Sequence, residues 1–318
     1  MTQPTRDWVT RGYAEAGLGT ADPGFWLRFF MDQGGWSLIW DGPASGQPLW
    51  PHAAARPGHE WLLGQRDWPT GKVRLFAFDP DVPAPRHGAN TWDTGGIFDL
   101  DLRVRDLPAW ARRLEADGFT GMSEPITWPF GELRIGEWLA QGPDGVVLAL
   151  VERLHPPLEN PGPASGFGHA FNSSQSVRDV DAHLALFKAL GFQPRLRQIE
   201  PLGGRGGEML GLPANAAGTT VVDLAISHPT GELDGSVEFV AFPDHPGRHV
   251  AATASPGCRG LNLLRFPVTN IDAMARDLAE SGFEFRGPLD WQLPPLGAVR
   301  GVALGTPDGS WLEFIEHL

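Results

Sequence analysis

Side chains able to do acid, base or ligand chemistry are unevenly supplied in this chain. There is one cysteine, Cys258, and there are ten histidines, against 38 Asp and Glu. A lone cysteine forms no intrachain disulfide and no cysteine-rich zinc site, and Cys258 lies in a Pro/Gly-rich joint with no evident partner. His228, in "SHPTGELDG", falls at an expected hairpin. Imidazole titrates near neutrality, so His228 is a candidate general acid or base if that hairpin folds over a cavity. His183, in "DVDAHLALFKAL", is expected on a solvated helix face, and His169 precedes Asn172 by three residues, which strand alternation places on the opposite face. "GGRGGEMLG" (203–211) is Gly-rich but opens no helix with Lys-Ser/Thr. It is therefore no phosphate loop, and reads as a flexible loop in which Glu208 is a candidate cavity residue.

The elements that must position these residues show an internal repeat. "RDLPAWARRLEADGF" and "RDVDAHLALFKALGF" each place a Gly twelve residues after an Asp, at Asp106/Gly118 and Asp179/Gly191. Asn270/Gly282 and Asp22/Gly34 repeat the spacing. Asp and Asn are good helix N-caps and Gly is the favoured residue just past a helix end. Four helices are thus expected near 23–33, 107–117, 180–190 and 271–281. A strand-like run precedes each, weakest at 11–19, and several follow. The final ones are "GKVRLFAF", "PDGVVLALVERL", "GSVEFVAF" and "PDGSWLEFIEHL". The unit is strand, helix, then about three strands, occurring four times.

Composition bounds the rest. A formal net charge of −13 offers nucleic acid or an anionic membrane no basic footprint. The start has no apolar signal core and no run approaches 18 apolar residues, so a cytoplasmic protein is expected. The length of 318 residues suggests two domains. A Pro/Gly-rich linker, 154–166, would separate an N-terminal module pair (1–153) from a C-terminal one (167–318).

A duplicated βαβββ unit with "GPDGVVLALVE" and "TPDGSWLEFIE" endings resembles the vicinal oxygen chelate superfamily, which includes glyoxalase I, bleomycin resistance proteins and extradiol dioxygenases. The resemblance implies an α+β fold of four modules in two tandem glyoxalase-like domains, with curved mixed sheets forming cups that hold the ligand. It also implies where a metal would sit: on the first strand seven residues before the helix cap, and at the middle of each module's last strand. In the first half these positions are Glu15, Arg74, Asp99 and Ala149. A guanidinium there repels a cation and can satisfy two carboxylates itself, so this half is read as metal-free.

In the second half the positions are Asn172, Glu238, Leu263 and Glu313. The resemblance makes Asn172, Glu238 and Glu313 candidate ligands for a divalent ion. Three oxygens suit Mg, Mn or Ca, and Fe is the ion of the dioxygenases. The alternative is a cup that binds an organic ligand without metal, with Arg265, two residues along from Leu263, paired to one of the carboxylates. Glu313, Arg265 and His228 are then the candidate catalytic groups, and Asn172, Glu238, Trp291 and Glu208 the candidate ligand-binding ones. Trp128 matches Trp291 in module 2. No organic cofactor is evident, and the expected partners are a small aromatic or oxygen-rich molecule and a second copy in a homodimer. An enzyme acting on that molecule in the C-terminal cup is the first expectation, with lyase, isomerase and ring-cleaving chemistry all fitting the fold; the alternative is a non-catalytic small-molecule binding or resistance protein of the same fold.

Overall fold

The computed structural model describes residues 6–158 and 165–318. Residues 159–164 of the expected linker lie outside the described residues. Module 1 comprises β1 (Glu15–Thr20), α1 (Pro23–Arg28, extended by a π turn over Phe29–Gln33), β2 (Ser37–Pro43), β3 (His59–Gly64) and β4 (Lys72–Ala77). Module 2 comprises β5 (Asp99–Arg103), α2 (Leu107–Ala116), β6 (Thr120–Gly121), β7 (Ile126–Phe130), β8 (Leu133–Gln141) and β9 (Val147–His155). Module 3 comprises β10 (Ala170–Ser176), α3 (Val180–Ala189), β11 (Gln193–Pro201), α4 (Gly203–Met209), β12 (Val221–His228) and β13 (Ser236–Ala241). Module 4 comprises β14 (Gly260–Pro267), α5 (Ile271–Glu280), β15 (Arg286–Leu293), β16 (Gly297–Gly305) and β17 (Trp311–His317).

Local chemistry explains the four module helices. Asp22, Asp106, Asp179 and Asn270 each accept the backbone N–H three residues on, which satisfies one of the orphan donors of a helix start. Gly118, Gly191 and Gly282 take positive φ just past their helices. In module 1 that left-handed position falls on Gly35, one residue late, because the π turn adds a residue. The buried stripe of α2, Leu107, Trp110, Ala111 and Leu114, keeps helical spacing and packs into the main core. The "PDG" endings also tie modules together. Asp144 accepts from Thr20 at the end of β1, and Asp308 from the backbone of Arg178 ahead of α3.

Within every module the first strand pairs parallel to the last. Between modules, the first strands pair antiparallel: β1 with β14, and β5 with β10. An eight-stranded sheet runs β15-β16-β17-β14-β1-β4-β3-β2, and a nine-stranded sheet contains β11-β12-β13-β10-β5-β9-β8-β6 with β7 on β8. Each curled sheet therefore takes one module from each half of the chain: 1 with 4, and 2 with 3. The segment read as a Gly-rich loop is instead helix α4. Its Gly207 is buried against Ala217, where an added Cβ would lie 2.0 Å from a carbonyl oxygen.

Candidate active site

The pairing of modules decides which chemistry-bearing residues meet. In the sheet of modules 1 and 4 the inward residues close on each other. Arg74 grips Glu15 with two parallel hydrogen bonds of 2.8 and 2.9 Å and reaches Glu60 at 3.0 Å. Arg265 donates to Glu15 at 2.6 Å and twice to Glu313, at 2.7 and 2.9 Å. The Trp50 indole takes the other Glu313 oxygen at 3.0 Å. All these side chains are buried, beside an apolar cluster that includes Trp50, Phe76, Leu263 and Trp311. Burial pushes the Glu15 carboxyl up, but Arg74 and Arg265 outweigh it and bring the pKa down to about 2. Two guanidiniums thus hold all three glutamates in ion pairs within the protein.

In the sheet of modules 2 and 3 the equivalent surface stays open. It encloses a cavity with about 840 Å³ of non-atom space including its mouth. Strand alternation supplies the lining: Asp99, Asp101 and Arg103 from one face of β5, Ile135, Glu137 and Leu139 from β8, and Glu238 and Val240 from β13. Helix α4 and its flanks add Leu202, Met209 and Leu210, so the wall is largely apolar. Four carboxyl groups, Asp99, Asp101, Glu137 and Glu238, face this one apolar space.

Their electrostatics follow from that placement. Asp99 accepts the backbone N–H of Ser174 at 2.9 Å, and Asp101 accepts the Asn172 amide at 2.9 Å. Ser236 donates to the Asn172 amide oxygen at 2.6 Å, which fixes that side chain. Burial raises Asp101 well above the usual carboxylate range, with Asp99 and Glu238 adding repulsion. Asp99 is also raised by burial, although hydrogen bonding from Ser174 opposes the shift. Burial and the repulsion between these two carboxyls both disfavour ionising the pair together. Glu238 is raised well above its ordinary value by burial and then by Asp99 and Glu137. Burial raises Glu137 to about 7, against a 2.9 Å hydrogen bond from the Trp128 indole to Oε2. Glu137 and Glu238 keep more exposure to the cavity than the buried Asp99 and Asp101.

The expected ligand set is not assembled. Asn172 and Glu238 line the open cavity, but Glu313 lies in the other sheet, ion-paired to Arg265. Each last strand joins the sheet of its own module, and module 4 pairs with module 1. Of the four family positions brought to the open cup, Ala149 has no ligand atom, the Asn172 oxygen is held by Ser236, and Asp99 accepts a backbone N–H. Among the described residues no group of three or more His, Cys, Asp or Glu is arranged to hold a metal ion. The residues present do not fit a divalent ion, so Asn172, Glu238 and Glu313 are not a metal triad.

Other candidate residues are also displaced. His228 is buried away from the cavity lining; its Nδ1 accepts Thr230 and its Nε2 donates to the Asp234 carbonyl at 3.1 Å. Burial lowers its pKa, so it braces its hairpin as a neutral ring. His183 is fully buried rather than solvated, bonded through Nδ1 to the Asp179 carbonyl. Glu208 pairs with Arg205 on the exposed side of α4. Trp291 packs beside the closed cluster of modules 1 and 4, and its counterpart Trp128 is the one that lines the cavity. Arg265 reaches Glu313 and Glu15, not Glu238. The residues missed, Asp101 and Glu137, carried a signal: Asp101 shares the face of Asp99 on β5, and Glu137 alternates with Ile135 and Leu139 on β8.

No family model matches this sequence, and no curated protein matches it. Solved structures do. Glyoxalase I from Zea mays superposes with a TM-score of 0.62 at 15% identity, covering 98% of this chain and 93% of that chain. A proposed dioxygenase from Bacillus subtilis superposes with a TM-score of 0.60 at 12% identity, covering 97% of this chain and 86% of that one. Four βαβββ modules, curled mixed sheets and end-to-end superposition lead to one conclusion: the chain has the vicinal oxygen chelate fold.

Proposed function

We propose that this protein takes a small oxygen-bearing organic molecule into the cup between modules 2 and 3 and catalyses proton transfer on it without a metal ion. The observation that carries this reading is the convergence of Asp99, Asp101, Glu137 and Glu238 on one apolar cavity, with Glu137 titrating at about 7. A general base works best with a pKa near the working pH. The Trp128 bond occupies Oε2, leaving Oε1 of Glu137 to take a proton from a carbon beside a carbonyl. Asp101, kept protonated by burial and by its neighbours, would donate a hydrogen bond to the carbonyl oxygen and stabilise the charge that develops there. Returning the proton to a different atom gives an isomerase; losing a leaving group gives a lyase.

The test is deuterium wash-in. Ketones, keto acids and hydroxy ketones are incubated with the protein in D₂O and followed by NMR. Exchange at the carbon beside the carbonyl, lost in Glu137→Gln, supports the reading. Compounds that raise the melting temperature with no wash-in favour a non-catalytic binding protein, the second reading, which the incomplete ligand set favours. A library that neither binds nor exchanges overturns both.

A further inference from the structure

The cavity is bipolar, and its outer pole says what the ligand carries. Besides the carboxyls, three arginines line it: Arg103, Arg153 and Arg195. Arg103 is accounted for, since it lies 3.4 Å from Asp234 and its guanidinium sits 3.9 Å from the Phe171 ring centre. Arg153 and Arg195 have no carboxylate within ion-pair distance among the described residues. Neighbouring Arg197, by contrast, holds both Asp181 and Asp223.

The backbone brings these two arginines to the cavity from opposite modules. Arg153 continues the inward alternation of Ala149 and Val151 on β9. Pairing with β8 skips Leu154 immediately after it. On β11 the ladder with β12 passes from Pro194 to Leu196, so Arg195 is the unpaired bulge residue. Leu196 packs toward the same apolar cluster. Regular alternation would therefore turn Arg195 outward, and a bulge is the device that re-aims a side chain. Both guanidiniums consequently face one cavity mouth, and burial together with the nearby Arg195 disfavours the charge on Arg153.

We propose that Arg153 and Arg195 form an anion-docking subsite at the mouth of the cup, and that the ligand is a small organic acid whose carboxylate or phosphate binds there while its uncharged end reaches Glu137 and Asp101. A guanidinium pair is suited to either oxyanion, and docking at the mouth keeps the anion apart from the carboxyls deeper in the cup. The inference rests on the cup being the ligand site.

Binding is measured by isothermal titration with phenylacetate and phenyl phosphate, each at low and high salt, against uncharged phenylacetamide. The two anions separate a carboxylate site from a phosphate site. The expected result is that one or both anions bind more tightly than the amide and weaken with salt. Arg153→Gln/Arg195→Gln should cost about tenfold or more in affinity for the anion, from the loss of charge-assisted hydrogen bonds. Arg205→Gln, on the exposed side of α4, removes one positive charge outside the cavity and should leave the affinity unchanged. Anion binding unaffected by the double variant, or no preference for an anion, overturns the subsite. If the amide binds and Glu137→Gln abolishes that binding while the arginine variants do not, the cup reading stands and only the anion subsite fails. If none of the three probes binds, the subsite is rejected, and the wash-in result judges the cup separately.

Discussion

Arg265 and Glu15 are separated by 250 residues in the chain, yet they face each other across β14 and β1 and meet at 2.6 Å. Their contact lies on the seam where module 4 joins module 1. It belongs to a network in which every charge is buried and has an opposite charge beside it. Removing one partner of such a pair leaves its neighbour unpaired in a low-dielectric interior, at about 3–5 kcal/mol. Arg265→Ala should therefore lower the unfolding free energy by about that amount. Glu313→Gln added to it should recover part of the loss, because the stranded carboxylate is then neutral. Urea melts of both single variants and the double decide this; additive effects would show that the two side chains are not coupled.

Acid should attack the same network. The pKa of Glu15 is depressed to about 2. Its contribution to stability is thus present above its unfolded value, about 4.3, and is lost as pH falls through 2. A fall in melting temperature between pH 4.5 and 2 is expected in the wild type, and a shallower one in Glu15→Gln measured from its own lower starting point.

The open cup should show the opposite sign. Glu137 is raised to about 7, so the folded state holds a proton that the unfolded chain has released. That contribution is complete below about pH 4.3 and declines as pH rises through 7. Relative to wild type, Glu137→Gln should gain on the order of 2 kcal/mol between pH 4.5 and 8, a figure reduced for the residual exposure of this side chain. A pH-independent difference between the two proteins would mean that Glu137 is ionised throughout and cannot serve as a base poised near neutrality.

Glu152 and Glu316 occupy matching places at the ends of β9 and β17. Each accepts two backbone N–H groups at the start of its module's helix, from Asp106 and Leu107 or from Asn270 and Ile271. A carboxylate there satisfies orphan donors and complements the helix dipole. Glu316→Ala should cost about 1–2 kcal/mol, with Glu316→Gln between that variant and wild type. Equal stability of all three in chemical denaturation would refute a capping role.

Helix α4 forms part of the cup wall only because its glycines allow close approach. A methyl at Gly207 would lie 2.0 Å from the Ala217 carbonyl oxygen, so Gly207→Ala must displace the helix. A stability loss of about 1–3 kcal/mol should come with weakened probe binding, since Met209 and Leu210 line the cavity. Unchanged binding in a destabilised Gly207→Ala protein would mean that α4 is dispensable to the site.

Much of this architecture is local and therefore legible in sequence. A cap, a stripe of apolar residues and a terminal glycine are satisfied within one helix, which is why the four helix windows coincide with α1, α2, α3 and α5. The glycine-rich α4 lacked that signature: no side chain caps it, and only packing against Ala217 and Trp128 explains its buried face. Strand alternation likewise carries Asp99 with Asp101, and Glu137 with Ile135, onto shared faces by their spacing alone. What the sequence could not specify is which faces meet. Every module offers similar inward positions, and the partner of a first strand is chosen by contacts up to 250 residues away. That choice placed Glu313 against Arg265 in a sealed ionic core. It left Glu238 with Asp99, Asp101 and Glu137 in an open cup, because hydrogen bonding between β5 and β10, rather than proximity in the chain, decides which carboxyls share a cavity.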